Sequence, residues 1–282
     1  MGVGKYDIKE IAFDRTKAAQ YELSILLGMD SFTYVVKEMR THQLLVFRAL
    51  SMTALNLNDW VPQFQRTVQN DELLRPNHIR KIYLSYHTER VTLVPERLFT
   101  PGKEMDYLGA LADIDLTDAC LSEAIPNLEA QLVYAIGEER LEATTRRFSP
   151  IRTRHVAAGL LKMWTKQSAQ LGHRAIYCCL RDKKLVFAGI SSEKIQFFNT
   201  FSYETAQDAL YYVHLTYQQC GWSPTRIPLY LCGEVVTDSE VYRQLYRFVE
   251  DIRFLTFAGP LVIGPQLKTL PQHIYYDLLC QF

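Results

Sequence analysis

Tyr21-Glu-Leu-Ser-Ile-Leu-Leu-Gly-Met-Asp-Ser-Phe-Thr-Tyr-Val-Val-Lys37 decides the architecture. Glu22 to Leu27 is an apolar-rich run, and Gly28-Met29-Asp30-Ser31 has the chemistry of a tight turn. Phe32 to Lys37 runs back with the aromatic and β-branched residues that suit a pleated surface. Gln43 to Leu50 follows an Arg40-Thr41-His42 corner, so the spacing predicts a meander of three strands. A helix comes next, with Asn58 as N-cap and Val61, Phe64 and Val68 on one face; Pro76 stops it, and Ile79 to Tyr86 reads as a fourth strand.

The same order returns about 150 residues later. Ala175 to Leu180, Lys184 to Ile190 and Lys194 to Phe201 are predicted strands, with turns at Arg181-Asp182-Lys183 and Ser191-Ser192-Glu193. A helix follows, with Ser202 as its N-cap, Glu204 in its first turn, and Ala206, Ala209, Leu210, Val213 and Tyr217 facing inward. Ile227 to Cys232 is a continuous apolar strand, Thr237-x-x-Glu240 reads as a capping box opening another helix, and Ile252 to Phe257 is one more strand.

Between the copies, Val91 to Val94, a short helix near Met105 to Leu111, and strands around Ala119 to Ile125 and Gln131 to Ile136 read as an inserted subdomain. A helix with Val156, Leu160, Met163 and Trp164 on one face bridges to the second copy, and His273 to Phe282 reads as a final helix. The expected partition is therefore residues 1–150, with an insertion at about 88–137, and residues 151–282, comprising the crossing helix and the second unit.

The chain has 282 residues, 31 Lys+Arg against 31 Asp+Glu, and is 48% hydrophobic and 22% charged, which excludes a disordered, collagenous or coiled-coil chain. Balanced charge argues against a protein built mainly to hold nucleic acid or an anionic membrane. The six cysteines show no CxxC pair and read as reduced, mostly buried small hydrophobes. The first twenty residues carry seven charges and no apolar core, and no run approaches the ~20 residues of a membrane span, so a cytoplasmic protein is expected.

Two βββαβα units, an insertion in the first and a helix crossing between them resemble the duplicated ribonuclease-H-like architecture of the actin, sugar-kinase and Hsp70 superfamily. Val91-Thr-Leu-Val-Pro-Glu-Arg-Leu-Phe99, Asn199-Thr-Phe-Ser-Tyr203 with Asp208-Ala-Leu-Tyr-Tyr212, and Leu229-Tyr-Leu-Cys-Gly-Glu234 resemble an uncharacterised Bacteroidetes family with an actin-like ATPase fold. More distant similarity points to the actin-like scaffolds of type IV pilus and type II secretion assembly and of cell division. The resemblance implies an α/β protein with a nucleotide cleft between its two units.

In that superfamily the first turn is Asp-x-Gly-(Ser/Thr), whose Asp holds the Mg²⁺ shell while the Gly and hydroxyl let phosphate approach. Here Gly28 matches, Ser31 lies in the turn, and Leu26 takes the carboxylate position. The second turn offers Cys178 and Leu180 where Asp-x-Gly is expected, next to Asp182. The adenosine loop, usually Gly-Gly, is Gly233-Glu234, where an acid would obstruct or repel a nucleotide. The resemblance thus implies a degenerate nucleotide cleft at Gly28, Ser31, Asp182, Gly233 and Glu234, with no catalytic residue, metal or cofactor expected.

Asp30 reads as a turn former rather than the carboxylate of a two-metal nuclease. The histidines are dispersed without a metal-ligand pattern, and neither a GxSxG elbow nor a P-loop occurs. Arg146, Arg147, Arg152 and Arg154 are expected just before and within the first turn of the crossing helix, where cations oppose the dipole. Either an anionic partner or Glu138, Glu139 and Glu142 would relieve them. No local acid cluster marks a site for a charged substrate. Of the tyrosines, Tyr217 is expected inward, and one of Tyr211 and Tyr212 outward, where it would suit a partner peptide.

The expected function is that of a non-catalytic actin-like scaffold, or pseudo-enzyme, that binds a protein or peptide. The alternative is an ATPase or kinase of the superfamily using Asp182, Asp208 and Glu234 with ATP and Mg²⁺. Nucleic-acid binding through the arginine cluster is a weaker third.

Overall fold

In the computed structural model, residues 6–52, 57–74, 79, 81–111, 113–148, 152–192 and 194–282 are described. A short edge strand β1 (Asp7–Lys9) precedes the meander β2 (Tyr21–Leu27), β3 (Ser31–Glu38) and β4 (Gln43–Ser51). β2 and β3 pair antiparallel from Tyr21 opposite Glu38 to Leu27 opposite Phe32; the turn falls where expected, except that Ser31 already belongs to β3 and leaves Gly28, Met29 and Asp30 between the strands. Helix α1 (Leu57–Asn70) buries Trp60, Phe64 and Val68 at i, i+4 and i+8. It already begins at Leu57, so Asn58 lies inside the helix rather than capping it, and Pro76 falls outside the described residues. β5 (Lys81–Tyr86) then pairs parallel with β2.

The insertion is a three-stranded antiparallel sheet of β6 (Val91–Pro95), β7 (Asp118–Ile125) and β8 (Ala130–Gly137), in the order β6-β8-β7, with α2 (Glu104–Gly109) against it. Two elements that the sequence did not announce follow: α3 (Glu138–Arg147) and β9 (Arg152–His155), the latter parallel to β5. The residues that α3 buries are Arg140 and Thr144, so it lacks the apolar stripe that periodicity detects.

The crossing helix α4 (Val156–Leu171) leads into β10 (Arg174–Arg181), β11 (Lys184–Ser191) and β12 (Lys194–Ser202). Then come α5 (Ala206–Cys220), β13 (Leu229–Gly233), α6 (Glu240–Tyr246), β14 (Ile252–Phe254), β15 (Val262–Ile263) and α7 (Tyr276–Leu279). The expected final helix is thus a tight 3₁₀ turn, Gln272–Tyr275, running into one short α-turn. Two caps move from their expected places. Ser202 is still in β12, opposite Lys184, and Thr205 caps α5 in a reciprocal box with Asp208. Glu204 therefore precedes the helix. Ser239, not Thr237, caps α6 by accepting from the Tyr242 N–H.

The two main sheets share one strand order, β4-β3-β2-β5-β9 in the first and β12-β11-β10-β13-β14 in the second. This is the duplicated ribonuclease-H-like arrangement of an actin-like α/β fold. β1 and β15 both add to β4, so a strand from near the C-terminus completes the first sheet.

β10 shows how the units are held. Ala175, Tyr177 and Cys179 face a core shared with β2, α4 and α7, while Ile176, Cys178 and Leu180 face α5 and α6. Both faces are covered, which is why the strand is apolar throughout. Trp164 of α4 stacks on Tyr177 at 5.5 Å, and Tyr177 on Tyr230 at 5.2 Å. Cys178, Cys179, Cys232 and Cys280 are buried free thiols.

Candidate functional site

The turns that end β2 and β10 meet. Asp182 and Lys183 both take left-handed backbone angles, φ +52° and +54°, the two-residue turn whose twist matches its flanking strands. That turn brings the Asp182 carboxylate onto the first turn, where the Ser31 hydroxyl donates to Asp182 Oδ2 at 2.6 Å. Gly28 lies directly beneath, and a Cβ there would fall 2.0 Å from Asp182 Oδ2, so only glycine permits this approach. The Gly28 N–H donates to Ser31 O at 3.0 Å, and its carbonyl accepts from Trp60 Nε1 at 3.3 Å and Arg140 Nη2 at 3.1 Å.

Arg181, one residue earlier, points inward and is 1% exposed. Its Nη1 donates to Glu234 Oε1 at 2.8 Å, its Nη2 to Ile274 O at 2.6 Å and Asp277 Oδ1 at 3.0 Å, and its Nε to Asp277 Oδ2. One guanidinium thus joins the ends of β10 and β13 to α7. Gly233 has φ +87°, and a Cβ on it would lie 2.0 Å from Leu180 O. That tight turn lets the Glu234 N–H donate to Leu180 O at 2.6 Å and swings the Glu234 side chain back onto Arg181.

Burial pushes the Glu234 carboxyl up to about 7, against the pull of Arg181 and with a further push from Asp182. Burial likewise raises Asp182, against the Ser31 hydrogen bond and Arg181. Desolvation would lower Arg181, but Asp277 and Glu234 hold it well above its ordinary value.

Beside this junction opens a cleft of about 510 Å³. Its floor is a strip of short side chains, Ser31 and Thr33 on β3 opposite Ser51 and Ala49 on β4. Its other wall comes from the second unit, with Tyr203 and the starts of α5 and α6. Among the described residues, five carboxylates, Asp30, Asp182, Glu204, Glu234 and Glu240, line it with one cation, Lys183. The expectation that no local acid cluster exists is therefore corrected. These residues are spread over 210 positions of sequence, from 30 to 240, and only the meeting of the two units gathers them.

Gly28, Ser31, Asp182, Gly233 and Glu234 do come together at the junction. Asp208 does not join them, because its carboxylate accepts from the Thr205 and Glu204 N–H groups as a helix cap. Asp30 is exposed in the turn and lines the cleft. Sequence reasoning passed over Thr33, Glu204 and Glu240 as site residues, and it read Arg181 only as part of a turn. Its partner Asp277 is 96 residues away, so no local signal marked the pair.

The arginine run is not one cluster on a helix start. Arg146 and Arg147 occupy the last turn of α3, where cations suit the dipole, and β9 separates them from α4. Arg146 pairs with Glu142 at 3.7 Å, Arg147 donates to Leu74 O, and Arg154 lies 3.9 Å from Glu123 and donates to Gln281 O at 3.3 Å. The side chain of Arg152 is outside the described residues. Tyr217 is buried and Tyr211 is 60% exposed, as expected.

Among the described residues no group of three or more His, Cys, Asp or Glu side chains could hold a metal ion. Nor is any described helix long and apolar enough to cross a membrane.

Residues 10–252 match a family described as "Protein of unknown function (DUF3822)". No curated protein matches the chain. Among solved structures, a Bacteroides thetaiotaomicron protein with an actin-like ATPase fold and unknown function superposes with a TM-score of 0.74 at 15% identity, covering 86% of this chain and 93% of that one. A PilM–PilN type IV pilus biogenesis complex matches with a TM-score of 0.61 at 11% identity, over 92% of this chain and 97% of that one.

Proposed function

This chain belongs to the DUF3822 family, and from its cleft geometry we propose that it is a non-catalytic, cytoplasmic actin-like scaffold whose interdomain cleft receives a protein partner instead of a nucleotide. The observation that carries this reading is the Asp182 carboxylate seated on Gly28 and Ser31. In the actin-like plan that turn takes a phosphate, and here a side chain of the opposite unit already supplies an anion to it. Leu26, in place of the Mg²⁺-anchoring Asp, is wholly buried and apolar. The remaining cleft is lined by carboxylates, which repel a polyphosphate. The likeness to a pilus biogenesis complex of two proteins supports a partner protein as the occupant. In this reading the functional halves are residues 1–150 and 151–282, with the cleft between them.

A thermal-shift series with ATP, ADP and AMP, each with and without Mg²⁺, tests it. A nucleotide at ~100 times its dissociation constant would add about 2.7 kcal/mol of stability. The expected result is no shift; a saturable shift with any nucleotide overturns the proposal in favour of an ATPase or kinase.

A further inference from the structure

We infer that the cleft between the two units is a binding site for an organic cation, the guanidinium or ammonium head of an arginine or lysine presented by the partner protein. The inference rests on the partner-binding reading above and names the chemistry of the group that enters.

Three of the five cleft carboxylates are spoken for. Glu204 pairs with Lys183, Glu240 with Arg243 at 3.1 Å, and Glu234 with Arg181 at 2.8 Å. Asp30 and Asp182 have no cation at ion-pair distance among the described residues, although both border the cleft. Arg181 does not balance the interior either, because Asp277 already takes two of its nitrogens. With all of these carboxyls ionised the junction would carry more negative charge than its own cations offset, and an entering cation would draw the raised Asp182 and Glu234 carboxyls towards that state.

A second, independent observation comes from the floor. Thr33 is 0% exposed, and its hydroxyl has no hydrogen-bond partner among the described residues. It lies two residues from Ser31 on the same face of β3, and Ser31 reaches Asp182 across the junction, so Thr33 faces the cleft as well. A buried hydroxyl without a partner costs free energy that an entering polar group would recover, and beside the cleft carboxylates the group favoured is a cationic N–H donor. Donor and positive charge together describe a guanidinium or ammonium.

The rest of the lining suits the stem of such a side chain. Ala49, Leu50, Ala206 and Val241 offer apolar surface, and Tyr203 adds a ring that can face a cation. The volume of about 510 Å³ falls among ligand-sized clefts, which span roughly 300–1,000 Å³. A small hydrated metal ion would use neither the aliphatic surface nor the ring.

The test is an NMR titration of the full chain with acetyl-Gly-Arg-Gly-amide, its lysine counterpart, its citrulline counterpart and spermidine. Citrulline keeps the shape of arginine without its charge. Saturable shifts of the Thr33, Ala49 and Asp182 signals are expected with the arginine or lysine peptide, with at least about tenfold weaker binding of the citrulline peptide, a difference of 1.4 kcal/mol. The double variant Asp182→Asn, Glu234→Gln keeps the left-handed turn, for which Asn is well suited, and leaves acceptors for Ser31 and Arg181. It should bind the arginine peptide at least about tenfold more weakly, and Thr33→Val should weaken it with every charge in place. Equal binding of the citrulline peptide, or undiminished binding by the folded double variant, overturns the inference. Spermidine binding tenfold more tightly than either peptide would overturn the assignment to a partner protein. A nucleotide-silent protein that also ignores the cationic peptides would sink this inference alone, whereas nucleotide binding would sink the reading beneath it.

Discussion

Glu234 occupies the place where the fold's adenosine loop would carry a second glycine, and its chemistry is set by what folds around it. Its carboxyl is raised to about 7, from 4.5, by burial, with Arg181 opposing and Asp182 and Asp277 adding to the rise. A carboxyl raised on folding binds its proton more tightly in the folded state. It therefore costs stability as pH rises from about 4.5 through 7, and nothing below that window. His87 and His155 act in the opposite sense. Burial holds His155 down at about 4 and His87 well below 6.5, so their contribution grows as pH rises towards 6.5. The wild-type profile blends the two. The difference between Glu234→Gln and wild type isolates the carboxyl: urea denaturation should show no advantage for the variant near pH 4.5 and one on the order of 1–3 kcal/mol above pH 7. A flat difference across that range would mean that Glu234 is not held against its charge.

At the scale of elements, α5 distinguishes two candidate caps that look alike in sequence. Ser202 was expected to start the helix, yet it remains paired in β12, and its hydroxyl donates to the exposed Glu89 at 2.6 Å. Thr205 accepts from the Asp208 N–H at 3.2 Å while Asp208 accepts from the Thr205 N–H at 2.8 Å. Thr205→Ala should lower stability by about 1 kcal/mol. Ser202→Ala should stay within about 0.5 kcal/mol. Urea midpoints of the two variants would settle the order, and a larger loss at Ser202 would contradict the observed cap. The strands were legible element by element because their apolar runs are bounded by turn residues. α3 was not, because the side chains it buries are Arg140 and Thr144, and β9 was not, because its four residues read Arg-Thr-Arg-His. Missing them also misplaced Arg146 and Arg147, which close one helix rather than open the next.

Across the whole molecule, the two units share one core. Val156, Leu160, Leu161 and Trp164 of α4 are at most 1% exposed, and they pack in one cluster with Leu23 and Ile25 of the first sheet, Tyr177 and Cys179 of the second, and Leu278 and Leu279 of α7. Trp164→Ala should therefore cost about 3–5 kcal/mol and lower the stability of both units together. In a Trp164→Phe background, variants keeping only Trp60 in the first unit or only Trp222 in the second should report the same urea midpoint. Two separate midpoints would show that the units unfold independently.

The sequence by itself determined the repeat, the insertion and the crossing helix, because each depends on local periodicity and on turn residues such as Gly28, Asp182 and Gly233. It also placed those residues correctly at the ends of their strands. Only the tertiary structure decided what they do there. The bond from Ser31 to Asp182 spans 151 residues and that from Arg181 to Asp277 spans 96, and the cleft collects acids from both units. Charge balance over the whole chain concealed that local excess, since opposite charges far apart in sequence cancel in a sum. In the fold the cleft gathers acids without as many bases, and water no longer screens those that lie buried.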